Sequence, residues 1–195
     1  MIVKFINRTV IMLCLLLSSM VANALDIEEI KKMSPDELAE KIIYHWGSGK
    51  ENQQTIKLLL DELPSKASAG NVDAVIWKYV FVIDVCNMML KHGLTDVDSK
   101  PACAEAFGAI KQLLENKNAI TNWRAAGVME LMGDMYKKGI GTKKSTYNAA
   151  DWYIKAAYQN HKNQYREGAL RSMEQALELV PDHPAGLKLR EVLVK

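Results

Sequence analysis

The side chains of this chain that are best suited to chemistry are its histidines and cysteines, and they are scattered along the sequence. The histidines are His45, His92, His161 and His183. None of them has a second histidine or a cysteine at the spacing of a metal site. The motifs H-E-x-x-H, G-x-S-x-G and G-x-x-x-x-G-K, which mark common hydrolase and phosphate sites, are absent. The sequence therefore predicts no catalytic residue, no metal and no cofactor, and a protein that is not an enzyme.

Basic residues gather around the sequence Gly139-Ile140-Gly141. Lysines stand on both sides of it, at Lys137, Lys138, Lys143 and Lys144. This run has a superficial likeness to a phosphate-binding loop, but no strand precedes it, so a turn between two helices is the better interpretation. The lysine cluster is either an ordinary solvated surface or a patch for an acidic partner or an anionic component of a cell envelope.

The composition is that of an ordinary soluble protein. Of the 195 residues, 49% are hydrophobic and 25% are charged, which excludes a disordered tail, a collagen-like rod and a disulfide-dense mini-protein. The 25 basic and 23 acidic side chains leave a formal charge of +2, whereas nucleic-acid binders show a strong basic excess. We therefore expect no nucleic-acid partner.

Residues 1–24 have the pattern of a secretory signal peptide. Two cations precede the apolar stretch Thr9–Leu17, and the small residues Ala22-Asn23-Ala24 end the segment. The apolar stretch is shorter than the roughly 20 residues of a membrane-spanning helix, so cleavage after Ala24 is favoured over an uncleaved anchor. A lipoprotein signal is less favoured, because Cys14 lies inside the apolar stretch. We expect a periplasmic or secreted protein without an integral membrane span.

Removal of this segment changes both the charge and the cysteine count. Lys4 and Arg8 account for the whole basic excess, so the mature chain is electrically balanced. Cys14 leaves with the segment, and Cys86 and Cys103 remain. An even number of cysteines in an oxidising compartment favours a structural disulfide over free thiols. A redox-active pair is least favoured, because the spacing is not C-x-x-C.

The mature chain reads as a succession of helices. Ser34-Pro35-Asp36-Glu37 has the residues and the spacing of a capping box, and the next helix ends near Pro64 or by Gly70. Asp73–Leu90 is so apolar that we expect a helix buried on most sides, with a membrane span as the competing interpretation. Because no segment alternates convincingly between apolar and polar residues, the fold class is all-α. The later helices are expected at Ala102–Leu114, Trp123–Tyr136, Tyr147–Tyr158, Glu167–Val180 and Pro184–Leu193.

Two stretches in the second half carry a repeat pattern. Leu131–Thr142 reads L-M-G-D-M-Y-K-K-G-I-G-T, and Asn148–Ala157 reads N-A-A-D-W-Y-I-K-A-A. Together they resemble the Sel-like repeat family, a relative of the tetratricopeptide repeats. In that family a helix ends L-G-x-x-Y, a G-x-G turn follows, and a second helix carries A-x-x-W-Y-x-x-A-A. The matching residues are Gly133, Tyr136, Gly139, Gly141, Ala149, Trp152, Tyr153, Ala156 and Ala157.

The resemblance implies a short right-handed α-solenoid of antiparallel helix pairs. It is closest over about Ala125–Asn160, and residues 67–195 would form the repeat domain behind an N-terminal helical cap at 25–66. In such a repeat Gly133 lets two helices approach closely, and the two turn glycines adopt positive φ at little cost. The alanines would form a thin packing face, and Trp152 and Tyr153 would fill the space between helix pairs.

The cysteine pair falls within a degenerate earlier repeat. Cys86 lies near the end of its first helix and Cys103 near the start of its second. Antiparallel helices joined by a turn bring such positions side by side, so we expect a disulfide that clamps this helix pair.

The resemblance also implies a function, because the first helices of such repeats line a concave surface that binds partners. Glu130, Asp134 and Lys137 share one helix face and, with Lys138, Lys143 and Lys144, are the candidate partner-binding residues; an ordinary solvated face is the alternative. We expect an exported protein-interaction scaffold or adaptor of the bacterial cell envelope with a protein partner. A secreted factor that binds host proteins is the alternative, and a periplasmic hydrolase is less favoured.

Overall fold

The computed structural model describes residues 27–45, 53–93, 100–116, 120 and 122–194. In these ranges the regular structure is α-helical and no strand occurs, which confirms the all-α prediction. The expected signal peptide at 1–24, with Cys14, lies outside the described residues, as does most of the turn before Pro101. The helices are α1 Ile27–Lys32, α2 Pro35–His45, α3 Gln53–Ser68, α4 Val72–Lys91, α5 Pro101–Glu115, α6 Asn122–Lys138, α7 Thr146–Lys162, α8 Arg166–Leu179 and α9 Pro184–Leu193.

The chain divides into two compact units, Met1–Ala74 and Val75–Lys195. In the first unit α1 and α2 both pack on α3. Its core is formed by side chains that are almost fully buried on these three helices, namely Ile30, Leu38, Ala39, Ile42, Leu59 and Leu63. Burial of this apolar stripe is the main stabilising contribution to these short helices, which would be marginal alone.

The start of α2 is the predicted capping box. The backbone N–H of Ser34 donates to Oε2 of Glu37 at 2.7 Å, and the N–H of Glu37 donates to Oγ of Ser34 at 3.3 Å. These bonds satisfy two amide groups that have no partner within the helix. The amide of Ser34 holds the pKa of Glu37 below its usual value, so the carboxylate that closes the box stays ionised.

Helix α3 ends between Pro64 and Gly70, the two end points that the sequence left open. The helix continues through Pro64 and ends at Ser68, shortly before Gly70, which has a φ of +86°. Proline lacks the N–H that would bond back to the previous turn. Leu59 and Leu63, in the turn that precedes Pro64, are buried in the core, and their packing holds the helix together across the missing hydrogen bond. Gly70 is therefore the stop signal, as left-handed backbone favours glycine.

Helix α4 is continuous, as predicted, but the expectation that it is buried on most sides is wrong. Only four of its residues are buried, Ala74, Ile76, Ile83 and Cys86, whereas Val85 and Met88 are 39% and 41% exposed. A hydrophobic composition alone does not tell how many neighbours a helix has. Among the described residues no helix has the length and hydropathy to cross a membrane.

A disulfide between Cys86 and Cys103 joins α4 to α5, as expected from the sequence. The two Cα atoms are 6.2 Å apart, and both cysteines are 1% exposed. Further along the pair, the hydroxyl of Tyr79 donates to Oε1 of Glu105 at 2.9 Å. The covalent bond thus fixes the end of α4 to the start of α5, within the second unit.

The turn between α6 and α7 packs directly on this disulfide-bonded pair. Gly139 and Gly141 have φ values of +78° and +64°, the left-handed conformation expected of them. A Cβ placed on Gly141 would lie 2.0 Å from the carbonyl oxygen of Cys103. Glycine at 141 is therefore required twice, by its backbone conformation and by its contact with the first turn of α5.

Helices α6 and α7 are in close contact at Gly133. A Cβ on this residue would lie 2.8 Å from Cε1 of Tyr153, so the bare glycine makes room for the tyrosine ring. Tyr153 is 1% exposed, whereas Trp152 is half-buried, with Nζ of Lys155 3.9 Å from the centroid of its indole. Tyr153 is therefore the more deeply buried residue of the aromatic pair.

Small side chains let α7, α8 and α9 pack closely. Each of these helices contacts the next along the chain. The shared core contains one aromatic ring, several aliphatic side chains and many alanines: Ala149, Ala150, Tyr153, Ile154, Ala157, Ala169, Met173, Ala176, Leu189 and Leu193. The expected thin alanine face of α7 is thus confirmed, since Ala156 is fully buried as well.

Loss of the disulfide should destabilise the protein. The bond closes a loop with a sequence separation of 17 residues, for which the chain-entropy model gives a contribution of about 3 kcal/mol. We expect Cys86→Ala/Cys103→Ala to lower the free energy of unfolding by about that amount in urea titrations. Reductant should weaken the wild type and leave the double variant unchanged; equal stability of the two proteins would contradict the clamp.

Alanine should have opposite effects at two helix glycines. Gly133→Ala forces Cβ against the Tyr153 ring and should cost about 1–3 kcal/mol. Gly108 lies on α5, and a Cβ added to it would meet nothing within 4 Å, so Gly108→Ala should stabilise the helix by about 0.5–1 kcal/mol. Thermal unfolding followed by circular dichroism measures both. A Gly133→Ala variant as stable as Gly108→Ala would show that α6 and α7 do not need this contact.

Candidate functional site

The expected partner-facing stripe on α6 is partly engaged inside the molecule. The hydroxyl of Tyr153 donates a short hydrogen bond to Oδ1 of Asp134, and Nζ of Lys138 lies 3.7 Å from Oδ2 of the same carboxylate. Burial and this hydrogen bond raise the pKa of Tyr153 well above its ordinary value of 10.0. Asp134 thus positions α7 against α6.

Glu130, one turn earlier, connects α6 to two other helices. Its Oε1 accepts hydrogen bonds from the hydroxyl of Ser172 on α8 and from Nδ2 of Asn160 on α7, the latter at 3.5 Å. The amide of Asn160 also reaches Oγ of Ser172 at 3.4 Å. Ser172 is fully buried and Asn160 is 7% exposed. The hydroxyl of Ser172 also lies 2.9 Å from the carbonyl oxygen of Gly168, so the carboxylate adds a second partner to a buried polar network that joins α6, α7 and α8.

A polar pocket of about 370 Å³ opens beside this network. It lies where α6, the end of α7 and the start of α8 meet. The wall combines small residues with one acidic, one basic, two amide and one phenolic side chain: Ala126, Gly127, Glu130, Asn160, Asn163, Tyr165 and Arg171. Gly168 makes room for the Tyr165 ring of this wall, because a Cβ on Gly168 would lie 2.4 Å from that ring.

The positive charge of the pocket is held at its edge. Nη2 of Arg171 donates to the hydroxyl oxygen of Tyr165 at 3.3 Å. This hydrogen bond, and at longer range the carboxylate of Glu130, raise the pKa of Arg171. A guanidinium at an exposed edge can form bidentate bonds with a carboxylate or a phosphate.

An apolar groove of about 350 Å³ runs between α4 and α6 on the same unit. Its wall is almost entirely aliphatic and aromatic, with one arginine: Ile76, Trp77, Val80, Arg124, Gly127, Val128 and Leu131. None of these residues was expected to form a site. The apolar run Asp73–Leu90 was the available signal in the sequence, but the pattern did not reveal which helix lies beside α4.

The lysine cluster surrounds a turn in which two amides are used within the fold. The N–H groups of Gly139 and Ile140 both donate to the carbonyl of Met135, at 2.8 and 2.9 Å. They are therefore directed at the end of α6 and are not available to cradle a phosphate. Three of the lysines are exposed and Lys137 is half-buried; the exposed ones are Lys138, Lys143 and Lys144.

His183 has a structural role that was not expected from the sequence. It is 3% exposed, and its Nδ1 accepts the N–H of Gly186 at 3.3 Å, which caps the start of α9. Its other nitrogen, Nε2, must then carry the hydrogen, which it donates to Oδ1 of Asp151 at 3.0 Å. The following Pro184 at the first helical position was the signal. Among the described residues no three histidine, cysteine or acidic side chains lie close enough to hold a metal ion.

The Tyr153–Asp134 pair predicts how stability depends on pH. Because the pKa of Tyr153 is raised in the folded state, its stabilising contribution is complete below pH 10 and is lost as the pH rises above that value. We expect the free energy of unfolding to fall above pH 10 with a slope from this residue approaching about 1.4 kcal/mol per pH unit.

The matched variants are Tyr153→Phe and Tyr158→Phe, measured by urea unfolding across alkaline pH. Tyr153→Phe should be less stable at neutral pH, because the bond to Asp134 is lost, and should show a shallower alkaline slope. Tyr158 is 43% exposed, and its variant should keep the wild-type slope. If Tyr153→Phe also keeps that slope, the titration of Tyr153 does not cause the loss of stability at alkaline pH.

Comparison with protein-family models, with curated proteins and with solved structures finds no match for this chain. Among the described residues, the apolar groove and the polar pocket, which share Gly127 of α6, are therefore the candidate binding sites.

Proposed function

We propose that the mature chain is an exported protein-interaction module, a scaffold or adaptor of the bacterial cell envelope. The observation that carries this proposal is the pair of adjoining concave sites on either side of α6. An apolar centre with polar residues beside it is the usual anatomy of a protein-binding surface. The groove and the pocket have volumes of about 350 and 370 Å³, respectively, which suits a few side chains of a partner.

A Sel-like helical repeat is the architecture that we propose for residues 67–195. The contacts of Gly133, the backbone of Gly139 and Gly141 and the buried alanines of α7 agree with the roles that the repeat pattern implies. Each of α6, α7 and α8 packs on the next helix along the chain, which supports the proposal of a solenoid; its right-handedness is what the repeat pattern implies. Repeats of this kind present extended surfaces for partners.

Export is the second part of the proposal. Its support is the signal-peptide pattern of residues 1–24 together with the buried Cys86–Cys103 disulfide, since such bonds persist in oxidising compartments. A secreted factor that binds host proteins would use the same surface in another compartment. Fractionation distinguishes retention in the periplasm from release into the medium.

Site-specific photo-crosslinking in living bacteria tests this function. We expect benzoylphenylalanine in place of Trp77, in the groove, to form a covalent adduct with one partner protein, identified by mass spectrometry. The same amino acid in place of Tyr158, an exposed aromatic residue that lines neither site, is the control and should not form that adduct. Absence of an adduct at Trp77, or identical adducts at both positions, would reject the proposed function.

A further inference from the structure

We infer that the turn between α6 and α7 covers the Cys86–Cys103 disulfide, so that the bond is formed on the unfolded chain before this turn packs on α5. The reaction that supplies it is thiol–disulfide exchange with a disulfide donor. This order rests on the export part of the proposed function, because disulfide donors act in the compartments to which exported chains are sent. Three observations support it: the burial of both cysteines, the contact of Gly141 with Cys103, and the short distance between the cysteines in the sequence.

Neither cysteine of the bond is accessible in the folded protein. Cys86 and Cys103 are each 1% exposed. Exchange requires that a thiolate reach a sulfur atom and form a mixed disulfide with it, and a buried sulfur offers no path for that attack. While this packing is intact, a donor therefore cannot make the bond and a reductant cannot break it.

The turn between α6 and α7 packs against the backbone at Cys103. A Cβ on Gly141 would lie 2.0 Å from the carbonyl oxygen of Cys103 and 2.9 Å from the amide nitrogen of Ala104, so the two backbones are in direct contact. Ile140, the neighbouring turn residue, is fully buried. The turn is thus a packed part of the second unit, and it must lift from α5 before Cys103 can be approached from this side.

The sequence brings the two thiols together without help from the turn. Cys86 and Cys103 have a sequence separation of 17, and a loop of this length closes in about a microsecond or less in an unfolded chain. They are the two cysteines that remain after removal of residues 1–24, so oxidation has a single intramolecular product. Contact of Gly141 with Cys103 closes a longer loop, which costs more entropy. The bond is therefore able to form first.

The exchange reaction moves two electrons and two protons from the chain to the donor. The thiolate of one cysteine attacks the disulfide of the donor, whose S–S bond breaks, and a mixed disulfide forms as one donor thiolate leaves. The thiolate of the other cysteine attacks this mixed disulfide, the Cys86–Cys103 bond forms, and the second donor thiolate leaves. The protons lost by the cysteines go to the two donor thiolates. The donor is a compound or an oxidoreductase with an accessible disulfide, and oxidised glutathione serves as the probe.

The order of events is tested with purified mature protein that is reduced in urea and then refolded. Oxidised glutathione is added at the start of refolding or after the circular dichroism signal has become constant, and bond formation is followed by mass spectrometry after alkylation of the remaining thiols. We expect oxidation to be about tenfold slower or more in the second case, because the folded chain hides both thiols. A chain that stays unfolded until glutathione is added would show the same order. Equal rates in a chain that has folded without the bond would overturn the inference.

The role of the turn is tested by the rate at which dithiothreitol reduces the folded protein. Gly141→Ala should raise this rate about tenfold or more, because its Cβ pushes the turn away from Cys103. Gly70→Ala is the matched control. Gly70 also has a positive φ and follows a helix, but it lies in the first unit and nothing lies within 4 Å of an added Cβ. This variant should be reduced at the rate of the wild type.

The dependence of reduction on urea needs no variant. Lifting of one turn exposes little surface, so reduction of the wild type should be almost independent of urea at low concentrations. A rate that rises with urea as steeply as global unfolding, or equal rates for Gly141→Ala and Gly70→Ala, would show that the turn is not the cover and would overturn the inference. These assays use purified protein, so their outcome does not depend on export, which fractionation tests separately.

Discussion

The close approach of α6 and α7 at Gly133 is the constraint on which the second unit depends. The Tyr153 ring occupies the space that a side chain on Gly133 would fill, and its hydroxyl donates a hydrogen bond to Asp134, the next residue along α6. Ring and hydroxyl together fix both the distance and the register of the two helices. The rest of α6 is then positioned, with Glu130 towards α8 and Leu131 towards α4. Both concave sites are therefore lined by residues of a helix whose position this contact helps to fix.

The disulfide extends this arrangement towards α4. Cys103 bonds to Cys86 on one side, and its carbonyl contacts Gly141 on the other. The disulfide-bonded helix pair therefore contacts the turn between α6 and α7 through the backbone of Cys103. The edge-to-face packing of Phe107 on Tyr136, with ring centroids 5.2 Å apart, adds a second contact between α5 and α6. Helices α4 and α6, the two walls of the apolar groove, are therefore both held by contacts with α5.

The sequence predicts best where one local pattern decides the structure. The capping box at Ser34 and Glu37 and the left-handed backbone of Gly141 are such cases. Helix periodicity likewise locates the later helices to within a few residues. It does not tell what lies opposite a helix face, which depends on tertiary packing. For this reason the exposed part of α4 was expected to be buried, and the groove beside it was not foreseen.

The candidate site shows the same limit. Spacing correctly places Glu130 and Asp134 on one helix face, but it cannot tell that this face meets Tyr153 and Ser172 from neighbouring helices. His183 has both kinds of partner: its cap on Gly186 is local, whereas its bond to Asp151 needs α7 to lie beside the start of α9. In each case the sequence indicates what the side chain can bond to, but the partner on another helix is a residue that is distant in sequence.

The hydrogen bonds of Glu130 have a consequence for how precisely α8 is placed. The interface between α7 and α8 is rich in alanine, and small smooth side chains by themselves permit neighbouring alignments of similar energy. A slip of α8 by one helical turn, about 5.4 Å, would carry Ser172 away from the carboxylate of Glu130 and the amide of Asn160, and both of these hydrogen bonds between helices would be lost. The polar network thus discriminates against misaligned packings that the alanines would tolerate, which gives this interface a single register.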